Sequence, residues 1–123
     1  MNRVLLIDDD TDMLKLTARW FTKAGYEVTT AASGKEALTL LKSETPDIIL
    51  LDYAMPEMDG PATLEAIRSD EASKDIPVLF RTGKDDENLP DIMDRLHPAG
   101  VVSKADGKPK LMKAVSEVLS TSL

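Results

Sequence analysis

The segment Val4-Leu5-Leu6-Ile7-Asp8-Asp9-Asp10 is the most informative about the fold, because four apolar residues run directly into three carboxylates. A continuous rather than alternating apolar run fits a strand buried on both faces, as in a parallel sheet covered by helices. Three further runs share this character, and a chemically active side chain follows each of them: residues 48–51 before Asp52, residues 78–80 before Thr82, and residues 101–102 before Lys104.

Helix-forming segments separate these strands. A fifth strand, over residues 26–31, is β-branched and more polar, which fits the edge of a sheet. Helix signals stand between the strands: an apolar stripe of Met13, Leu16, Trp20 and Ala24, a capping box of Ser33 and Glu36 opening residues 35–43, Pro61 in a first turn, and Pro109 opening the last helix. This alternation predicts one α/β domain over residues 1–123, with a parallel sheet and no output domain.

Composition excludes several classes of site and partner. The 123 residues contain no cysteine, which excludes disulfides and Cys-ligated zinc or iron–sulfur sites. His97 is the single histidine and receives no functional role. The net charge of −7 argues against direct binding of nucleic acid or an anionic membrane. Because no apolar run approaches the roughly 20 residues of a membrane span, we expect a cytoplasmic domain.

The polar residues after the strands should meet at one place. Ligands of open α/β sheets bind outside the carboxyl ends of the strands. Several carboxylates, the Thr82 hydroxyl and the Lys104 ammonium would therefore converge there. Clustered carboxylates repel one another and favour a hard cation with oxygen ligands, and Mg²⁺ suits that set. A metal, an ammonium and a hydroxyl around Asp52 are the parts needed to add a phosphoryl group to that carboxylate.

The whole chain resembles the receiver domain of response regulators, the phosphoacceptor half of two-component signalling. The resemblance is carried by Asp8-Asp9, by Leu51-Asp52-Tyr53-Ala54-Met55-Pro56-Glu57-Met58-Asp59-Gly60, by Thr82-Gly83 and by Lys104. It implies a flavodoxin-like (βα)5 fold with three layers and a five-stranded parallel sheet of order 2-1-3-4-5.

The resemblance also implies a role for each matching residue. Asp52 would accept a phosphoryl group from a sensor histidine kinase or a histidine phosphotransfer protein. Asp9, Asp52 and the carbonyl of Ala54 would bind Mg²⁺, and Asp8 would act largely through a metal-bound water. Thr82 would hydrogen-bond the phosphoryl group and Lys104 would pair with it.

Such a domain is a signalling module rather than an enzyme with a separate substrate, although it catalyses its own phosphorylation and dephosphorylation. Its phosphorylation would switch the surface presented to a downstream protein target. The sequence does not identify that target, and it leaves a weak homodimer open.

Three positions depart from the family pattern. Val101 stands where receivers often carry an aromatic ring that moves on phosphorylation, and Ala105 replaces the proline that usually follows the lysine. Because a cis bond before a residue other than proline costs about 2.5–4 kcal/mol, we expect Lys104–Ala105 to be trans. Arg81 occupies a position that is often apolar. We expect it to pair with a surface acid, and a contact near the active site is the alternative.

Two other functions compete with this interpretation. In a haloacid-dehalogenase-type phosphohydrolase, Asp8 would be the nucleophile and Asp10 the acid and base, with Lys84-Asp85-Asp86 loosely imitating a later acidic motif. That reading leaves the long match around Asp52 unexplained, and Asp10 otherwise caps or flanks the first helix. The second alternative is an interaction module that is never phosphorylated. The intact Asp52, Thr82 and Lys104 argue against it.

Overall fold

A five-stranded parallel sheet organises the protein in the computed structural model, which describes residues 2–83 and 89–121. The strands are β1 (Arg3–Ile7), β2 (Glu27–Ala31), β3 (Ile48–Asp52), β4 (Val78–Thr82) and β5 (Gly100–Ser103). The helices are α1 (Thr11–Lys23), α2 (Gly34–Leu40), α3 (Gly60–Ser69), α4 (Leu89–Leu96) and α5 (Gly107–Thr121), with a 3₁₀ turn at Lys104–Asp106. The strand order β2-β1-β3-β4-β5 confirms the predicted topology, with β2 at one edge.

The apolar runs form the middle of three layers, as their composition predicts. Every residue of β3 is buried, and its side chains alternate between two cores. Ile49 and Leu51 pack on the side covered by α2, α3 and α4, whereas Ile48 and Leu50 pack on the side covered by α1 and α5. Burial on both faces explains why these strands lack the polar alternation of a half-exposed sheet.

The buried face of α1 differs from the predicted stripe. Leu14, Thr17 and Phe21 are the buried residues of this helix, whereas Leu16 is 40% exposed. The predicted stripe did not include these three residues, and Thr17 is not found by such a pattern because a threonine counts as polar. The Thr17 hydroxyl is satisfied inside the protein by a donor from β4, so its burial carries no unpaired polar group.

Three element boundaries also differ from the predictions. Helix α2 ends at Leu40 rather than at residue 43, and α5 begins at Gly107, two residues before Pro109. Strand β4 extends through Arg81 and Thr82, which both pair with β5. None of the helices in the described part of the chain is long and apolar enough to cross a membrane.

Candidate functional site

Three carboxylates meet where β1 and β3 end, and we call Asp8, Asp9 and Asp52 the acidic pocket. The register pairs Ile7 with Leu51, so Asp8 and Asp52 come next to each other at the carboxyl edge of neighbouring strands. Each of the three residues offers a carboxylate oxygen, and these oxygens all lie within 4.8 Å of one another. Asp8 and Asp52 are buried, whereas Asp9 is exposed at the mouth of the pocket.

Lys104 reaches into the acidic pocket from the end of β5, the edge strand next to β4. Its Nζ lies 3.2 Å from Asp52 Oδ2 and 3.4 Å from Asp8 Oδ2. Lys104 begins the 3₁₀ turn after β5, and the Ala105 amide donates to Ser103 Oγ there. The described residues contain no cis peptide bond, so Lys104–Ala105 is trans as expected, and the positive φ of Gly107 redirects the chain into α5.

The pocket raises the pKa of Asp52 from 3.8 to about 7. Burial is the largest cause, because it penalises the ionised form. The negative charge of Asp8 and a hydrogen bond with its side chain act in the same direction, and Lys104 opposes them. Lys104 lowers this pKa less than burial and Asp8 raise it, so the pocket favours additional positive charge.

Backbone hydrogen bonds fix the segments that carry the acidic side chains. Asp8 Oδ1 accepts from the Asp10 amide at 2.9 Å, and the Tyr53 amide donates to the Arg81 carbonyl at 2.9 Å. Gly60 N donates to the Tyr53 carbonyl, so the chain returns close to Asp52 before α3 begins. A Cβ at Gly60 would lie 2.7 Å from the Asp52 carbonyl oxygen, which explains the glycine at this point.

Asp10 lies outside the acidic pocket and caps α1. Its side chain accepts hydrogen bonds from the amides of Asp12 and Met13, both at 3.1 Å. This confirms the predicted place of Asp10 at the first helix. The two capping hydrogen bonds engage the carboxylate that a phosphohydrolase would use as its acid and base. The segment Lys84-Asp85-Asp86, which that alternative also invoked, lies outside the described residues.

Thr82 and Ala54 border the same edge of the sheet. Thr82 is the last residue of β4, is 8% exposed and pairs in register with Ser103, which precedes Lys104. Ala54 is exposed and lines an open groove after β3 with Tyr53 and Met55. The fold thus places all six predicted site residues at one edge, and the close contacts join Asp8, Asp9, Asp52 and Lys104.

Among the described residues, Arg81 pairs with no surface acid, and it is buried rather than exposed at the strand end, contrary to the prediction. It is 7% exposed, its Nη1 donates to Thr17 Oγ1 at 3.1 Å, and it is the register partner of Asp52. Burial lowers the pKa of Arg81, and the charges of Asp8 and Asp52 act in the opposite direction. The alternative of a contact near the site is the better description. The strand register, which pairs Arg81 with Asp52, would have indicated this contact, but a single sequence does not show that register.

The acidic pocket fits a hard divalent cation. Carboxylate oxygens are the preferred ligands of Mg²⁺, and Asp8 Oδ2 is buried with the Lys104 ammonium 3.4 Å away as its charged neighbour. Asp9 adds an exposed carboxylate at the mouth of the pocket, where it could contact a hydrated ion. No soft ligand accompanies these oxygens, which disfavours copper or zinc thiolate chemistry.

Comparisons with known proteins agree with this geometry. A family model described as the response regulator receiver domain matches residues 4–116. Protein PilH of Pseudomonas aeruginosa is 32% identical over 121 residues, which cover 98% of this chain and 99% of PilH. The probable transcriptional regulator ycf27 of Guillardia theta is 36% identical over 94 residues, 76% of this chain and 34% of the regulator.

The chain therefore spans about a third of the length of the ycf27 regulators. Among solved structures, the chemotaxis protein CheY4 of Vibrio cholerae superimposes with a TM-score of 0.89 at 30% identity. That match covers 96% of this chain and 98% of CheY4.

Proposed function

Because the chain belongs to the family of response regulator receiver domains, we propose that Asp52 is its phosphoacceptor. The observation that carries the proposal is the ion pair of Lys104 Nζ with Asp52 Oδ2 at 3.2 Å, inside a pocket that holds two further carboxylates. Asp52 ends β3 at the centre of the sheet, where neighbouring strands deliver the other groups. A receiver is a signalling domain, and the self-catalysed gain and loss of the phosphoryl group belong to the proposal.

The proposed step transfers a phosphoryl group from a donor imidazole to Asp52. A carboxylate oxygen of Asp52 forms the new O–P bond while the P–N bond of the phosphohistidine breaks. The electron pair of the P–N bond returns to the donor nitrogen. Lys104 would neutralise the equatorial oxygens as charge develops, because its ammonium already lies at the pocket. The Thr82 hydroxyl would donate to the same oxygens from the end of β4.

Mg²⁺ is the cofactor that this proposal requires. Asp9, Asp52 and the Ala54 carbonyl would hold it, and Asp8 would act largely through a metal-bound water. When bound, the ion supplies the positive charge that keeps Asp52 ionised and draws the phosphoryl oxygens into the site. The residues Asp8 and Asp52 would otherwise repel an incoming anionic donor.

The partners follow from the same chemistry. We assign a sensor histidine kinase or a histidine phosphotransfer protein as donor, and a protein of unassigned identity as downstream target. The proposal includes a cytoplasmic location and no direct contact with nucleic acid or membrane, and a weak homodimer is compatible with it. A single receiver domain over residues 1–123 accounts for the sequence in hand.

Intact-mass measurement after incubation with acetyl phosphate tests the assignment. We expect the mass gain of one phosphoryl group in the presence of Mg²⁺, its loss on chelation, and no gain in Asp52→Asn. Peptide mapping of the labelled wild type should place the group on Asp52. Labelling of Asp52→Asn at the wild-type level, or labelling that ignores Mg²⁺, would overturn the proposal.

Two matched variants separate the receiver from the phosphohydrolase alternative. Asp10→Ala should label at the wild-type rate while losing about 1 kcal/mol of stability, because Asp10 acts as an N-cap. Asp8→Asn should weaken Mg²⁺-dependent labelling without moving the labelled position. Phosphate found on Asp8 rather than Asp52 would favour the phosphohydrolase.

A further inference from the structure

Arg81 is a buried cation on the same face of the sheet as the acidic pocket. Side chains alternate along a strand, so Leu50 and Asp52 of β3 share one face, and Leu79 and Arg81 of β4 share the same face. The register places Arg81 directly beside Asp52. The guanidinium therefore lies under the pocket, on the α1 side, whereas Lys104 approaches it from the last strand.

The contacts of Arg81 hold it against α1. Nη1 donates to Thr17 Oγ1 at 3.1 Å, and Nη2 lies 4.0 Å from the sulfur of Met13. No carboxylate of the described residues lies within 4.0 Å of the guanidinium, so Arg81 acts on the pocket through space rather than through an ion pair.

A small cavity joins Arg81 to the acidic pocket. Asp8, Thr17 and Arg81 line it together with apolar residues of β1 and β3. Among the described residues, Arg81 Nε is a buried donor without a hydrogen-bond partner, whereas Asp8 Oδ2 is a buried acceptor that pairs with Lys104 Nζ at 3.4 Å. Both side chains are more than nine-tenths buried. Low-dielectric surroundings of this kind strengthen the interaction between the two charges.

We propose that Arg81 is a positioning residue that lowers the Mg²⁺ affinity of the acidic pocket by placing a fixed positive charge beneath Asp8 and Asp52. The idea rests on the proposed function, because it concerns the metal of that site. An arginine keeps its charge at every physiological pH, and the bond to Thr17 keeps that charge in place. A purely structural Arg81 would instead link β4 to α1 without influence on cation binding.

Calorimetric titration with Mg²⁺ alone tests this proposal on four full-length variants. Arg81→Met keeps the volume and removes the charge, and we expect it to bind Mg²⁺ about tenfold more tightly than the wild type. Arg81→Lys restores the charge, and its dissociation constant should stay within about twofold of the wild type. Arg81→Gln removes the charge and leaves a shorter polar side chain, and it replaces the Met variant if that variant does not fold.

Arg3→Met is the matched control. It removes one positive charge at the other end of β1, about 16 Å from the pocket, where salt screens the interaction, so its Mg²⁺ affinity should equal that of the wild type. Equal affinities of wild type and folded Arg81→Met or Arg81→Gln would overturn the proposal, as would a Lys variant that shifts as far as Met. Acetyl phosphate labelling in parallel separates a failure of the Arg81 proposal from a failure of the proposed function. If the wild type is labelled on Asp52 but all variants bind Mg²⁺ with equal affinity, only the role of Arg81 is refuted.

Discussion

The acidic pocket and the last-strand region, which comprises β5 and the 3₁₀ turn after it, are built under different constraints. All five residues of β3 are buried, so the position of Asp52 is imposed by neighbours on both faces and both sides. Strand β5 is an edge strand of four residues, of which only Val102 is buried. The first region matches the family motif, whereas the less buried second region keeps Lys104 but departs from the motif at Val101 and Ala105.

Lys104 is the residue that connects the two regions. It belongs to the last-strand region by sequence and to the acidic pocket by contact, with Nζ within 3.4 Å of both Asp8 and Asp52. Lys104 Nζ contacts both carboxylates although the peptide bond to Ala105 is trans. Breaking this connection is therefore the strongest test of the comparison.

Replacing Lys104 by Met should produce the largest effect. The variant loses the ammonium that opposes the charge of the carboxylates, and we expect the rate of labelling by acetyl phosphate to fall about a hundredfold. Time-resolved intact-mass measurement at saturating Mg²⁺ gives this rate. Lys110→Met is the control, because the ion pair of Lys110 joins it to Asp106 of the 3₁₀ turn rather than to a residue of the acidic pocket. Equal rates for the two variants would show that the last-strand region does not serve the pocket.

Stability against pH should reveal the unfavourable burial of Asp52 in the metal-free protein. The pKa of Asp52 is about 7 when folded and 3.8 when exposed, so between those values the folded state binds more protons than the unfolded state. Its contribution to stability is therefore lost as the pH rises from about 4 to 7.

Asp52→Asn removes this dependence. We expect its melting temperature to match the wild type near pH 4 and to exceed it by about 5 °C at pH 8, with chelator present. Thermal unfolding followed by far-UV circular dichroism measures the difference. A constant difference between the two proteins across this range would mean that Asp52 is ionised without penalty. Ionising a carboxylate in the buried pocket would then cost no more free energy than ionising one in the exposed last-strand region.

The sequence predicted those features that depend on local pattern and left out those that depend on register. Apolar runs located β1, β3, β4 and β5, and the motif around Asp52 identified the pocket residues. The buried face of α1 was missed, because Thr17 is buried by a partner on β4 that lies 64 positions away in sequence. Arg81 was misjudged for the same reason, since its neighbours Asp52 and Thr17 come from other elements.

Restoring a ring at position 101 should have the smallest effect of these changes. Val101 is half-buried and packs against the core on the side of α2, α3 and α4, whereas Lys104, the residue after β5, contacts Asp52 in the acidic pocket. We expect Val101→Phe to label within about twofold of the wild type and to change stability by no more than about 0.5 kcal/mol. Labelling kinetics and chemical denaturation provide the two measurements.

The result distinguishes a permissive last-strand region from a specified one. If Val101 is merely tolerated at an edge strand, a larger apolar ring finds room toward solvent, and the chemistry at Asp52 proceeds unchanged. If the region is tuned to valine, the ring would displace β5, carry Lys104 with it and slow labelling about tenfold or more, as loss of a positioned charge does. Val101→Ala provides the matched comparison, because it removes apolar contact without adding bulk and should cost stability while leaving the position of Lys104 unchanged.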